Sequence, residues 1–333
     1  MTNRAESGTN KYKCKEDYSM KSFAKMLVAG AVAASVSLSA LAGGHSKITV
    51  GYITKSATNA GWIMINNGAA DAAEEVGAKL ITVGPAFQGD LSSQLEVFEN
   101  LTSQGVSAIA VAPVDSSGIA PAVTAAMDAG IPVVAVDTGV SGAEVTSFVA
   151  TDNEAVAEIQ GIEAAKLIND GDKIIYVTGN QAQSTGQERR DGFMKGFKAS
   201  RPNSEILIVP TEWDSNQAQA GVEALLNKHS DVKMVVNAWD GGTMGAKAAL
   251  ENLGYNAGDV KLVGFDGASD AIVAMDEGWV HVDTAQMLYK MGYEGVKTAV
   301  AAAKGETVSK RIDTGTFLVT PETSAEYKKL IGM

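Results

Sequence analysis

Just after short apolar runs, this sequence keeps placing the same kinds of residue: Asn59 with Trp62, then Asp115, Asp137, Trp213 with Asp214, Trp239 with Asp240, and Asp266. Three of the four tryptophans belong to this set. Carboxylates accept hydrogen bonds from hydroxyls, and an asparagine both donates and accepts. An indole lays its flat face on C–H surface and still donates through its ring N–H. Together these groups suit a neutral polyhydroxylated ligand such as a sugar or polyol. Each aspartate also has a plainer reading, because a carboxylate after a strand often caps the next helix; Asp115 and Asp240 fit that role equally well. Arg189 and Arg190 open a helix in QERRDGF, where one can reach a site while the other stays in solvent.

The parts for other chemistries are missing. There is no GxGxxG, GxxxxGK[ST] or GxSxG pattern, and GGTMGAK lacks the glycine before lysine that a phosphate loop needs. With one cysteine, Cys14, no intrachain disulfide and no multi-cysteine metal site can form. The three histidines, His45, His229 and His281, are not spaced as metal ligands, so no metal or cofactor is expected. A pair of carboxylates could still hydrolyse a glycoside, which keeps a secreted carbohydrate-active enzyme as an alternative.

The elements that must position these residues alternate along the chain. Apolar, β-branched runs at 48–53, 79–83, 108–112 and 133–136 read as strands, and helical patterns separate them: 62–76, a stretch after Asp90 with Leu91, Leu95, Phe98 and Leu101 on one face, and one around 121–127. The rhythm restarts after Thr151, with strands at 173–177, 205–209, 234–237 and 261–265. Strands apolar on both faces and bounded by helices belong to a parallel sheet covered on each side. Two such series predict an α/β protein of two similar lobes. In open parallel sheets ligands bind at the carboxyl ends of strands, where the Asp and Trp residues fall.

The chain of 333 residues is 45% hydrophobic and 20% charged, with net charge −12, which argues against a broad basic surface for nucleic acid. Lys21 and Lys25 precede a charge-free stretch from Met26 to Ser46, apolar at first and ending in Ala40-Leu41-Ala42. A basic segment, a short apolar core and an A-x-A site describe a cleavable export signal, with cleavage expected after Ala42. The apolar core is too short and too rich in Ala and Gly for a spanning helix. Met20 suits the start of such a signal better than Met1, with residues 1–19 as an upstream extension. Six of the 27 basic and three of the 39 acidic residues precede Gly43; the 21 and 36 that remain give the exported chain −15.

In order, the motifs GVSAIAVAPVD, AGIPVVAVDTG, TDN at 151–153, QERRDGF, MVVNAWDGGTMGA, LVGFDGASD and TAQ at 284–286 resemble the type I periplasmic sugar-binding proteins of ABC transporters, the ribose-binding-like group, from Lys47 to about Thr320. The resemblance implies two lobes joined by three crossovers, near 151–153, 284–286 and 313–316, with a ligand held in the cleft between them. Lobe one would be 43–151 with 286–313, and lobe two 152–285 with 314–333. By motif, Asn59 and Trp62 line the first wall, Asp137 binds ligand hydroxyls, and Trp213 packs on the ligand. Gln187 and Arg189 enter from QERRDGF, Trp239 and Asp240 from the strand end before them, and Asp266 with Gln286 completes the second wall. Ribose-binding relatives carry an arginine where Thr138 stands and another where Gln187 stands, an asparagine for Trp239 and an aromatic for Gly61. Without those arginines Asp137 and Asp266 would stand unbalanced, so a neutral ligand is expected first, a cationic one second and an acidic sugar last. The implied role is a monomeric periplasmic binding protein serving an inner-membrane ABC permease, with a chemoreceptor as a further partner.

Overall fold

The computed structural model describes residues 47–85 and 89–333. The expected export signal, its cleavage site and Cys14 lie outside the described residues.

Two six-stranded sheets organise these residues. The first is built from β1 (Thr49–Ile53), β2 (Lys79–Val83), β3 (Ala108–Val111), β4 (Val133–Val136), β5 (Ser147–Ala150) and β11 (Arg311–Asp313). Its strand order is β11-β5-β4-β3-β1-β2, parallel throughout. The second combines β6 (Lys173–Val177), β7 (Ile206–Val209), β8 (Val232–Asn237), β9 (Lys261–Asp266), β10 (Val280–Gln286) and β12 (Thr316–Val319), in the order β12-β10-β9-β8-β6-β7. Here only β12 is antiparallel, pairing with β10 at the sheet edge. Strands β3, β4, β6 and β9 are buried almost end to end, the mark of a sheet covered on both faces.

The intervening helices are α1 (Ala60–Glu75), α2 (Leu91–Ser103), α3 (Ala120–Asp128), α4 (Asn153–Lys166), α5 (Ser184–Ser200), α6 (Ser215–Lys228), α7 (Asp240–Asn252), α8 (Ser269–Asp276), α9 (Leu288–Ala303) and α10 (Ser324–Ile331). Asp90 caps α2 as its position suggests, accepting the Ser93 N–H at 3.1 Å. The chain passes between the sheets three times: from β5 into α4, from β10 into α9, and from β11 into β12. β5, β11 and β12 escape the apolar-run signal because each contains a polar residue and none is buried throughout. β10 escapes it because its buried positions include Asp283 and Thr284.

Glycine lets one pair of helices in each lobe touch backbone to backbone. In α1 and α9, a methyl group at Gly68 would strike the Tyr289 carbonyl, and one at Gly292 the Ile65 carbonyl. In α4 and α5, a methyl group at Gly161 would lie 2.5 Å from the Phe193 oxygen and 2.6 Å from the Phe197 nitrogen. These partners are backbone and cannot rotate aside. Gly292→Val and Gly161→Val are therefore expected to destabilise by more than the ~1–3 kcal/mol of ordinary overpacking, lowering the thermal midpoint by at least about 3 °C. Thermal unfolding followed by circular dichroism checks this; an unchanged midpoint would show that the helices separate at no cost.

Candidate functional site

A small cavity of about 40 Å³ lies between the two sheets, at the carboxyl ends of their strands. From the first lobe, Lys55 follows β1, Asn59 caps α1 by accepting the Trp62 N–H at 3.2 Å, and Trp62 is buried in the first helical turn. Asp137 follows β4, and Leu288 opens α9. From the second lobe come Thr185 and Arg189 on the opening turns of α5, Trp213 between β7 and α6, Trp239 at the start of α7, and Asp266 and Gln286 ending β9 and β10.

Backbone strain concentrates here. Among the described residues, three non-glycine residues have positive φ: Asp137 at 66°, Trp213 at 61° and Asp266 at 122°, and all three line this cavity. Asp137 sits at the apex of a γ-turn that Thr138 N–H closes on the Val136 carbonyl at 2.7 Å, a conformation that L residues seldom adopt. Such strain persists only where surrounding contacts impose it, and it clusters at binding sites. Trp213 lies so close over Gly179 that any side chain there would displace the indole.

Each cavity carboxylate has a cation. Lys55 Nζ donates to Asp137 Oδ2 at 3.0 Å, to Thr138 Oγ1 at 2.6 Å and to Gln183 Oε1 at 2.7 Å. Arg189 donates through Nε to Asn153 Oδ1 at 2.8 Å and through Nη1 to the Ala238 carbonyl at 2.8 Å and Asp266 Oδ1 at 3.0 Å. Gln286 Nε2 donates to the same Asp266 oxygen at 2.6 Å. Burial works to raise the Asp137 carboxyl, but Lys55 and Arg189 outweigh it and hold the group below its ordinary value. At Asp266 burial prevails over Arg189 and Gln286 and pushes the carboxyl up. Burial also pulls the Lys55 ammonium down, against the attraction of Asp137.

Aromatic surface and free polar atoms complete the site. Trp213 meets Trp239 edge to face, with centroids 5.3 Å apart, and donates its Nε1–H to Gln183 Oε1 at 2.9 Å. Among the described residues, Trp239 Nε1 and Gln286 Oε1 are buried and have no hydrogen-bond partner. Both side chains line the cavity.

The lobes also bond directly to each other. Gln183 Nε2 donates to the Val114 carbonyl at 3.0 Å, Ser184 N–H to Ser116 Oγ at 2.9 Å, and Gly139 N–H to Ser184 Oγ at 3.0 Å. This is a closed arrangement, held by the start of α5 against the loops after β3 and β4.

The structure thus brings Asn59, Trp62, Asp137, Arg189, Trp213, Trp239, Asp266 and Gln286 to one cavity, and it places Gln187 and Asp240 of the expected set outside the cavity lining, with Asp115 and Asp214 in the capping role that a carboxylate after a strand can take. Gln187 is exposed and donates to the Gln181 carbonyl. It stands two residues, about 200° of helix, from buried Arg189, and so faces away. Asp240 lies behind the cavity, accepting the Phe265 and Ala268 amides at 3.2 and 2.7 Å, and so holds the loop that carries Asp266. Asp115 bonds the amides of Ser117 and Gly118, and Asp214 those of Asn216 and Gln217. The unbalanced carboxylates expected from the missing arginines are balanced, by Lys55 and Arg189. Lys55, Thr185 and Leu288 on the cavity, and Gln183 beside it, are the residues that the sequence reading does not supply. For Lys55 the signal in the sequence is a lysine two positions beyond a buried strand.

Residues 50–307 match the periplasmic binding protein domain family, and the chain belongs to it. It is 30% identical over 303 residues to the ribose import binding protein of Escherichia coli, covering 91% of this chain and 99% of that one. Among solved structures, it is similar to an ABC transporter solute-binding protein from Mycobacterium smegmatis with bound glycerol, at 31% identity and TM-score 0.77, covering 84% of this chain and 96% of the other. It is likewise similar to one from Bacillus halodurans with bound myo-inositol, at 28% identity and TM-score 0.79, covering 86% and 99%.

Behind the site, Asp240 and Asp283 share a buried pocket over Gly264, whose added methyl would lie 2.7 Å from Asp240 Oδ1 and against Asp283 Oδ2. Asp283 Oδ1 accepts the Gly267 N–H at 3.0 Å. Burial raises both carboxyls, and their mutual repulsion adds to this at Asp240; Asp283 is pushed up to about 7 from an ordinary 3.8. The folded carboxyl then holds its proton more tightly than the unfolded one. Its stabilising contribution is full below pH 3.8 and is lost as pH rises toward about 7. Asp283→Asn, which mimics the protonated acid, should match the wild type in thermal midpoint at pH 4 and exceed it at pH 7.5. Parallel pH dependences for the two proteins would show that Asp283 is ionised at both.

Proposed function

We propose that this chain is a periplasmic solute-binding protein that captures a small neutral sugar or polyol between its lobes and delivers it to an inner-membrane ABC importer. The observation that carries this reading is the cavity itself: two charge-compensated carboxylates and three indoles at opposed strand ends. Charge-compensated carboxylates accept from ligand hydroxyls without repelling the ligand, and the indoles receive its C–H surface. The relatives support the same reading, since they include a ribose import binding protein and solute-binding proteins crystallised with glycerol and with myo-inositol. The family is one of binding proteins, and no step of bond cleavage is assigned to the cavity carboxylates.

In this reading Asn59, Trp62, Asp137, Arg189, Trp213, Trp239, Asp266 and Gln286 contact the ligand. The proposed lobes are 43–151 with 286–313 and 152–285 with 314–333; sheet membership supports this division over the described residues. The protein acts as an exported monomer, and its ligand-closed form is the species an importer, or a chemoreceptor, would read.

Calorimetric titration with D-ribose, D-allose, myo-inositol and glycerol tests the reading. Saturable binding of at least one, without product formation, is the expected result; multiple turnover, or no binding at all, would sink it. Hydrogen bonds to a charged acceptor are worth about 1.5–3 kcal/mol, so Asp137→Ala and Asp266→Ala should each weaken that ligand roughly tenfold to hundredfold. If both side chains serve only the fold, the variants will lose thermal stability and keep their affinity.

Closure gives a separate expectation. Lobes joined by three short crossovers open and shut about a hinge, and a ligand that contacts both walls favours the shut form. Small-angle scattering should show a smaller radius of gyration with saturating ligand than without it. An equal radius in both conditions would mean that the lobe-to-lobe hydrogen bonds alone keep the cleft closed.

A further inference from the structure

We propose that Lys55 is a specificity-determining residue of the cleft: it cancels the charge of Asp137 while presenting no donor to the ligand, so the first-lobe wall accepts hydroxyls and gives a carboxylate or phosphate no cationic partner. The proposal rests on the sugar-binding reading above and adds to it the rule by which ligands are sorted.

Counting hydrogens carries the argument. Lys55 Nζ has three acceptors, Asp137 Oδ2, Thr138 Oγ1 and Gln183 Oε1, all within 3.0 Å. A neutral amine has two N–H groups and a lone pair; three acceptors need the ammonium, whose three N–H groups they consume. Nζ also lies 5.6 Å from the Trp62 ring centroid. The cation is therefore fully spent on the protein, although Lys55 lines the cavity. Thr138 Oγ1 also donates to Asp137 Oδ2 at 2.7 Å, so both donors converge on one carboxylate oxygen. Among the described residues Asp137 Oδ1 has no donor, which leaves it as an acceptor for the ligand. Such an oxygen rewards a ligand O–H and repels a ligand O⁻.

Arginine in the same place would behave differently. Its five N–H donors exceed the three acceptors present, and the surplus would face the cavity as a cationic fork suited to a carboxylate. Lys55→Arg therefore keeps the charge and changes only the supply of free donors. Lys55→Met keeps much of the stem and removes the charge.

Calorimetry would compare the wild type and both variants on D-ribose, D-allose and myo-inositol against D-glucuronate and D-galacturonate. The wild type should bind a neutral member more tightly than either uronate. In Lys55→Arg the ratio of uronate to neutral affinity should rise by about tenfold or more, the worth of one charge-assisted hydrogen bond. Lys55→Met should lose at least about tenfold in neutral affinity. A merely structural lysine would leave the ratio unmoved in Lys55→Arg, and that result, or tighter uronate binding by the wild type, overturns the proposal. A second arm needs no sugar: carbon-detected NMR of the Asp137 carboxyl should show it titrating at higher pH in Lys55→Met than in the wild type. If the wild type binds none of the panel, the sugar reading fails, and this titration alone judges Lys55. An unchanged Asp137 titration overturns the role assigned to Lys55; a raised one supports it whatever the ligand proves to be.

Discussion

The structure depends on how charge is held between the lobes. A carboxylate taken out of water stays ionised only where a cation and fixed donors replace its hydration, and removing one member of such a pair costs about 3–5 kcal/mol. Two pairs meet this requirement here, Lys55 with Asp137 and Arg189 with Asp266. Their cations then recruit the surroundings. Lys55 draws Gln183 from the opposite lobe, Gln183 holds the Trp213 indole, and Arg189 lies 4.1 Å from the Phe265 ring centroid and ties Asn153 and the Ala238 carbonyl to the second wall. The tryptophans and the crossing hydrogen bonds are thus arranged around the ion pairs.

This arrangement explains why strain is acceptable at Asp137, Trp213 and Asp266. Left-handed backbone at a non-glycine residue costs of order 1–3 kcal/mol. At each of these positions the side chain is anchored by partners from other elements, and those partners set the backbone angle. The loop carrying Asp266 is anchored from beneath as well, because Asp240 and Asp283 together accept the amides of Phe265, Gly267 and Ala268. A polar platform buried under the site keeps its upper face rigid, which lowers the ordering cost of binding a small ligand.

Closely packed helices do the same at larger scale. The glycine contacts between α1 and α9, and between α4 and α5, fix the helices whose N-terminal ends bear Trp62, Leu288 and Arg189. The proposed closure then asks for movement only at the three crossovers, with each wall keeping its geometry. A binding protein needs this division: rigid walls for recognition and a soft hinge for capture and release.

Much of this was legible in the residues. Buried strands such as 108–111 and 133–136 show because a strand covered on both faces must be apolar at every position, and the place of Asp137, Trp239 and Asp266 follows once strands are placed, since ligands meet parallel sheets at their carboxyl ends. The order of motifs along the chain was enough for the family. Tertiary structure alone decided the charge balance. Whether an aspartate caps a helix, braces a loop or faces a ligand depends on neighbours distant in the chain, so Asp214, Asp240 and Asp137 look alike in sequence and differ in role. Lys55 meets Asp137 across 82 residues and Gln183 across 128. No local spacing encodes that meeting; it exists because parallel strands put their ends side by side and the closed lobes bring the second set of ends against the first.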